Sequence, residues 1–195
     1  GAGTYSTATA GTDYIAPGSG NADSSVSAAS DTAAGKVELA TSTETTTGTD
    51  STRAVTPGGL AASEFGKQPV IMTISSMDTA ATTGDGKAYF IVPSRINGMN
   101  LVSVRLSAAT PSTSGTVTVQ LRRSRRTDAT TRANADMLST ALTLDVNEYD
   151  SADATTAAVV NTTYDDVQTG DFVFADIDGA GTGTKGLSVS LVFQK

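Results

Sequence analysis

Large apolar side chains are spread so unevenly along this chain that its two ends cannot fold by the same means. Residues 1–66 hold only Tyr5, Tyr14, Ile15, Val26, Val37, Leu39, Val55, Leu60 and Phe65, while nearly every run able to fill a core lies after Lys67. Fixing the backbone of one residue costs about 1–2 kcal/mol of conformational entropy, which apolar burial must offset. As a lone chain the front third lacks the means to do so. It needs partners or it stays disordered. The 195 residues leave room for one ordinary domain plus such an appendage.

The residue types that are missing narrow the chemistry. Without cysteine there is neither a disulfide framework nor a thiolate metal site. Without histidine the commonest general base and the commonest metal ligand are absent. No run approaches the roughly 20 apolar residues of a membrane-spanning helix, and no signal-peptide pattern is visible. A net charge of −7 disfavours general nucleic-acid binding and favours a soluble, self-repelling surface. Most of that imbalance sits in the appendage, where Asp13, Asp23, Asp31, Glu38, Glu44, Asp50 and Glu64 face only Lys36 and Arg53. The start at Gly1, inside Thr/Gly/Ala-rich sequence, reads as part of a longer polypeptide or a processed one.

Residues 1–33 are low-complexity Gly, Ala, Ser and Thr, with Pro17-Gly18 as a turn signal. They are expected to form an extended shaft segment lying against neighbours, the alternative being a flexible linker. Residues 34–66 are more specific. Gly35 to Ala40 alternates polar and apolar side chains, the pattern of a short half-buried strand. Thr41 and Glu44 make a capping-box pair, and Gly48 stands where the resulting helical turn would stop. Thr56-Pro57 is an N-cap followed by proline at the first helical position, with Leu60, Ala61 and Phe65 on one helix face and Gly66 as terminator. One strand and two short helices carry too few apolar residues for a core. Three copies about an axis would let the Val37/Leu39 and Leu60/Phe65 faces meet.

At this point the residues resemble a family. Ala33-Ala34-Gly35-Lys36-Val37-Glu38-Leu39-Ala40-Thr41, then Glu44, Gly48-Thr49-Asp50 and Arg53-Ala54-Val55-Thr56-Pro57-Gly58-Gly59-Leu60, resemble the phage tail-fibre repeat. Gly11-Thr12-Asp13-Tyr14-Ile15-Ala16-Pro17-Gly18 looks like a second, partial shaft element. The resemblance covers residues 29–62 and implies a homotrimeric virion fibre. On that reading Val37, Leu39, Leu60 and Phe65 line the trimer axis.

Residues 67–195 read as all-β. Expected strands are Pro69–Ser76, Lys87–Val92, Leu101–Ser107, Gly115–Arg123, Met137–Asp145, Thr156–Val160, Asp171–Asp176 and Gly186–Gln194. Alternation is clearest in Val117/Val119/Leu121 against Thr116/Thr118/Gln120, and Asn97-Gly98, Gly84-Asp85-Gly86 and Gly179 to Gly183 supply turns. Strands at this spacing suggest an antiparallel, jelly-roll-like β-sandwich. Asn97 to Val104, Asp136 to Ser139 and Gly183 to Leu187 look like a β-sandwich domain found at the ends of phage fibre proteins.

Arg122, Arg123, Arg125 and Arg126, with Arg132 nearby, admit two readings. One is an anion site for phosphate or carboxylate groups of a bacterial surface polysaccharide. The other is a set of ion pairs to the acid-rich loops at 145–153 and 165–171. Alternation sends Arg122 and Arg123 to opposite faces, against a single patch. The oxygen-rich stretches lack the spacing of a calcium loop, Asp176-Ile177-Asp178-Gly179 coming nearest, and fit solvated loops. Aromatics are 5% of the chain with no Trp, so sugar-stacking platforms are scarce and no acid pair sits in a hydrolase motif. Gly181-Thr182-Gly183 is turn chemistry, since no helix follows to cradle a phosphate.

The expectation is therefore a non-enzymatic, mainly β virion protein of a bacteriophage: a shaft segment at 1–33, a stalk unit at 34–66 and a sandwich tip at 67–195. It would be a homotrimer on the virion surface, joined to tail, neck or capsid proteins and binding a host surface polysaccharide. No cofactor, metal, nucleic acid or membrane insertion is expected. A head or neck fibre and a polysaccharide-degrading tailspike are the alternatives. Receptor contacts are placed on three connections, Arg125–Asp136, Val146–Thr156 and Asn161–Asp171, gathered at one end of the sandwich, with Arg125, Arg126, Tyr149 and Tyr164 as the contact residues.

Overall fold

The computed structural model describes Ala29, Ser30 and residues 35–195. The expected shaft segment at 1–33, and the partial element at Gly11 to Gly18, lie outside the described residues save for Ala29 and Ser30. The chain divides into two compact units, one ending at Ser63 and one running from Glu64 to Lys195. The described part is mainly β, and its sheets are antiparallel.

The first unit is built by capping rather than by a core. Helix α1 (Ser42–Thr47) is opened by Thr41, whose hydroxyl accepts the Glu44 N–H while the Glu44 carboxylate takes the Thr41 N–H at 2.9 Å. Gly48, in the left-handed region at φ 67°, closes it. Helix α2 (Pro57–Ala62) starts on Thr56, whose hydroxyl accepts the Gly59 N–H at 2.9 Å. A side chain at Gly59 would meet the Thr56 hydroxyl at 3.1 Å and the Ala40 carbonyl at 3.3 Å, so glycine lets α2 lie close to that backbone. Arg53 gathers Glu38, Glu44 and Asp50 around one guanidinium. Ala40 and Ala54 N–H groups donate to Ala54 and Glu38 carbonyls at 2.9 Å, forming a single parallel bridge at Leu39.

Two expectations are corrected here. The Gly35 to Ala40 segment is not a half-buried strand within one chain, for Val37 is 47% and Leu39 60% exposed and only isolated bridges form. Among the described residues of this unit no large apolar side chain is buried against them. Phe65 does not continue the helix of Leu60 either. Helix α2 stops at Ala62, where both the N–H and the hydroxyl of Ser63 donate to the Leu60 carbonyl. Phe65 instead sits in a 3-10 turn, Glu64–Gly66, that opens the second unit.

The second unit contains β1 (Gln68–Thr73), β2 (Gly84–Ile91), β3 (Asn100–Ser107), β4 (Val117–Arg126), β5 (Arg132–Asp136), β6 (Leu138–Thr140), β7 (Leu142–Leu144), β8 (Val159–Val160), β9 (Phe172–Ala180) and β10 (Ser188–Gln194). One sheet runs β1-β10-β3 and a second β2-β9-β4-β5, with β7 also paired to β4 and β6 to β8. In the first sheet Met72, Val189 and Leu106 stand in one row, Val70, Leu191 and Val104 in the next. In the second, Val119 and Leu121 of β4 face the interior beside Ile177 and Ala175 of β9. These side chains form one buried cluster that draws on both sheets, and Phe90 of β2 meets Phe193 of β10 edge-on at 6.2 Å.

Strand β5 was not foreseen. Arg-Ala-Asn-Ala-Asp has none of the β-branched or aromatic residues that mark strands, yet pairing with β4 extends it fully from Arg132 to Asp136. The single strand expected over Met137–Asp145 breaks in two because its halves take different partners, Leu138 pairing with Val160 and Leu142 with Val119.

Candidate ligand groove

Alternation along the second sheet puts its core residues on one face and a polar, aromatic set on the other. Pairing aligns Tyr89, Phe174, Arg122 and Asp136 in one row across β2, β9, β4 and β5. Ile91, Phe172, Ser124 and Asn134 form the next row, and Arg126 faces Arg132 beyond it. A cavity of about 520 Å³ lies over this surface, walled by Asp85, Tyr89, Arg122, Ser124, Arg132, Asn134, Phe172 and Phe174. That volume falls among those of small-ligand sites.

Aromatic rings floor the groove. Tyr89 is 64% exposed and its ring lies 5.8 Å from that of Phe172, tilted by 39°. The Arg132 guanidinium stands 4.4 Å over the Phe172 ring, held by hydrogen bonds from Nη1 to the Ser124 carbonyl at 2.6 Å and from Nη2 to the Gly170 carbonyl at 3.1 Å. The hydroxyls of Tyr89 and Ser124 and the Asn134 amide have no hydrogen-bond partner among the described residues. The far end is acidic. Arg122 pairs with Asp136 at 2.9 Å and Asp176 at 3.3 Å. Burial pushes the Asp176 carboxyl up, against the Gly86 N–H at 2.6 Å and the charge of Arg122. Such a floor can stack a sugar ring while its unused donors and acceptors take hydroxyls.

Of the four residues expected to contact a receptor, Arg126 lies on this face and the others lie elsewhere, so the four do not form one site. Arg125 turns toward the core side of β4, where Nη1 reaches Asp166 at 2.7 Å and Nη2 reaches Asp171 at 2.7 Å. Arg123 joins the same cluster through Asp166. Burial opposes the charge on Asp166, but hydrogen bonds from Arg125 and Arg123 together outweigh it and hold this carboxyl below its usual range. Of the two readings of the arginine run, ion pairing to the 165–171 loop describes Arg123 and Arg125; the acid of the other loop, Asp150, pairs with Arg105 instead. Tyr164, 42% exposed, lies 5.8 Å from the Arg123 guanidinium and borders a second cavity of about 620 Å³ with Arg125. Arg126 is exposed on the groove face and, among the described residues, donates only to the Asp128 carbonyl at 2.8 Å.

The three connections do not share one end. Arg125–Asp136 is a hairpin of β4 and β5, tied to the 161–171 loop by Arg125 and Arg132. The Val146–Thr156 loop lies at the opposite end of β4, since Leu144 pairs with Val117 and Asn147 N–H donates to Ser112. Ten residues of strand separate the ends by roughly 30 Å, which places Tyr149 far from Arg125, Arg126 and Tyr164. The groove itself was missed because its members come from four strands distant in sequence. The one local signal was the polar alternate of β4, Gln120, Arg122, Ser124 and Arg126. No protein-family model matches the chain, and no curated protein matches it.

Proposed function

We propose that this chain is a structural fibre protein of a bacteriophage, displayed on the virion surface, that attaches the particle to its host by binding a surface glycan without cleaving it. The observation that carries the binding function is the groove over β2, β9, β4 and β5. It combines an exposed tyrosine, a phenylalanine floor and polar groups with unspent hydrogen-bonding capacity. The fibre reading rests on the resemblance of residues 29–62 and on a first unit that leaves Val37, Leu39, Val55 and Leu60 exposed. Assembly as a homotrimer would cover these side chains, and three grooves would add avidity to individually weak contacts. In this reading the two sheets of the second unit act as a jelly-roll-like sandwich tip, and tail, neck or capsid proteins anchor the fibre.

Two measurements test the reading. Light scattering of the native chain should give three times 19.7 kDa, and Leu39→Asp should return a single-chain mass while the second unit keeps its melting temperature. A stable wild-type monomer would remove the fibre from consideration. Tyr89→Ala, in a side chain with little to lose on truncation, should lower adsorption to host cells about tenfold with folding unchanged. Host polysaccharide incubated with the protein should keep its length; shortening would favour a degrading tailspike instead.

A further inference from the structure

We infer that the hairpin end of the groove, where Arg126 and Arg132 face each other across β4 and β5, is a subsite for a sugar carrying a carboxylate. This rests on the groove being a glycan site, and it names which glycans.

Like charges directly opposite on an antiparallel pair are destabilising. The other arginines of β3 and β4 all have acid partners: Arg105 has Asp150, Arg122 has Asp136 and Asp176, Arg123 has Asp166, and Arg125 has Asp166 and Asp171. Arg126 and Arg132 have none among the described residues. Their hydrogen bonds among the described residues go to backbone carbonyls, one from Arg126 and two from Arg132. A guanidinium has five N–H donors in a fixed fork, so each keeps several free. The carbonyl bonds and the Phe172 ring fix the direction of Arg132, so a ligand need not order it.

Ser124 adds a hydroxyl to this end of the groove. It lines the cavity beside Arg132, and its hydroxyl has no hydrogen-bond partner among the described residues. A carboxylate laid against the free edge of Arg132 would accept from guanidinium and hydroxyl together, the planar pairing for which arginine is suited.

The other end sets the limit on charge. Asp85, Asp136 and Asp176 surround the single Arg122, and that excess of carboxylate repels a second anion while accepting hydroxyl donors. The fitting ligand therefore has an acidic sugar beside a neutral one. A chain with an anion at every unit, such as a nucleic acid, does not fit.

Calorimetry on the full chain tests this with tetrasaccharides alternating hexuronic acid and neutral hexose, each paired with its carboxyl-reduced counterpart. The acidic form should bind at least tenfold more tightly. Arg126→Gln and Arg132→Gln should each bring the two forms within twofold, chiefly by weakening the acidic one. Arg126→Gln should also keep or raise the melting temperature, since it removes a like-charge pair. This keeps the test decisive if Arg132→Gln misfolds. Equal binding of both forms by the wild type, or a preference that survives Arg126→Gln, overturns the inference. If both forms bind equally and Tyr89→Ala abolishes both, the glycan reading stands and only the acidic subsite falls. If no tetrasaccharide of either kind binds, both fall, and binding of a glutamate-rich peptide would then point to a protein partner.

Discussion

The two units solve the same problem in opposite ways. Every buried large apolar residue described lies at or beyond Met72, in one cluster shared by two sheets. Among the described residues of the first unit, those buried are Thr45 and Ser63, both polar, and the large apolar side chains are exposed. Its helix starts are nevertheless satisfied by two N-caps, one of them a capping box, and three acids surround Arg53. Local hydrogen bonding can specify a shape, but specifying a shape is not the same as holding it. Capping contributes about 1 kcal/mol per site, whereas a buried leucine contributes about 2–3 kcal/mol, and only the second unit collects the larger kind.

The sharpest way to break this comparison is to truncate equivalent side chains on either side of it. Leu121→Ala, at a fully buried position between β9 and β5, should cost the second unit about 3 kcal/mol in urea unfolding. Leu39→Ala should leave single-chain stability nearly unchanged, its cost appearing only as weaker assembly. Equal losses would mean that the first unit has a core of its own.

Within the second unit, a similar contrast separates arginines that hold the fold from those that do not. Arg125→Ala strands Asp171, whose side chain is 3% exposed, and should cost about 3 kcal/mol. Arg126→Ala should shift stability by less than about 0.5 kcal/mol, being an exposed substitution. Reduced adsorption by Arg125→Ala would thus report misfolding, and should track its melting temperature.

The smallest effect distinguishes the units by acid. Hydrogen bonds from the Thr52 hydroxyl and N–H, with help from Arg53, hold the Asp50 carboxyl down to about 2, from 3.8. Because the folded value is the lower one, its stabilisation is present above pH 3.8 and is lost as pH falls toward 2. Amide exchange between Thr41 and Ala62 should therefore accelerate over that window. In Asp50→Asn, protection should already be lower at pH 5 and should change less on acidification.

Much of the fold was legible because it is periodic or local. The period-2 alternation of Val117, Val119 and Leu121 found the central strand, and Thr41, Glu44, Thr56 and Pro57 announced their caps, because these signals act within four residues. Strand β5 was illegible since its residues have no strand preference; β4 supplies the hydrogen bonds that extend it. The same logic governs the candidate site. The sequence by itself determined that the chain would be mainly β with an apolar-poor front unit, and that a polar row would alternate with the core row of β4. Only the tertiary structure decided which cations stay free. Arg125 and Arg126 are neighbours in sequence, yet alternation turns one to buried carboxylates and the other to the open face, where register sets it against Arg132. A charge is neutralised by what lies within a few ångströms in space, and strand pairing, which joins residues far apart along the chain, determines what that is.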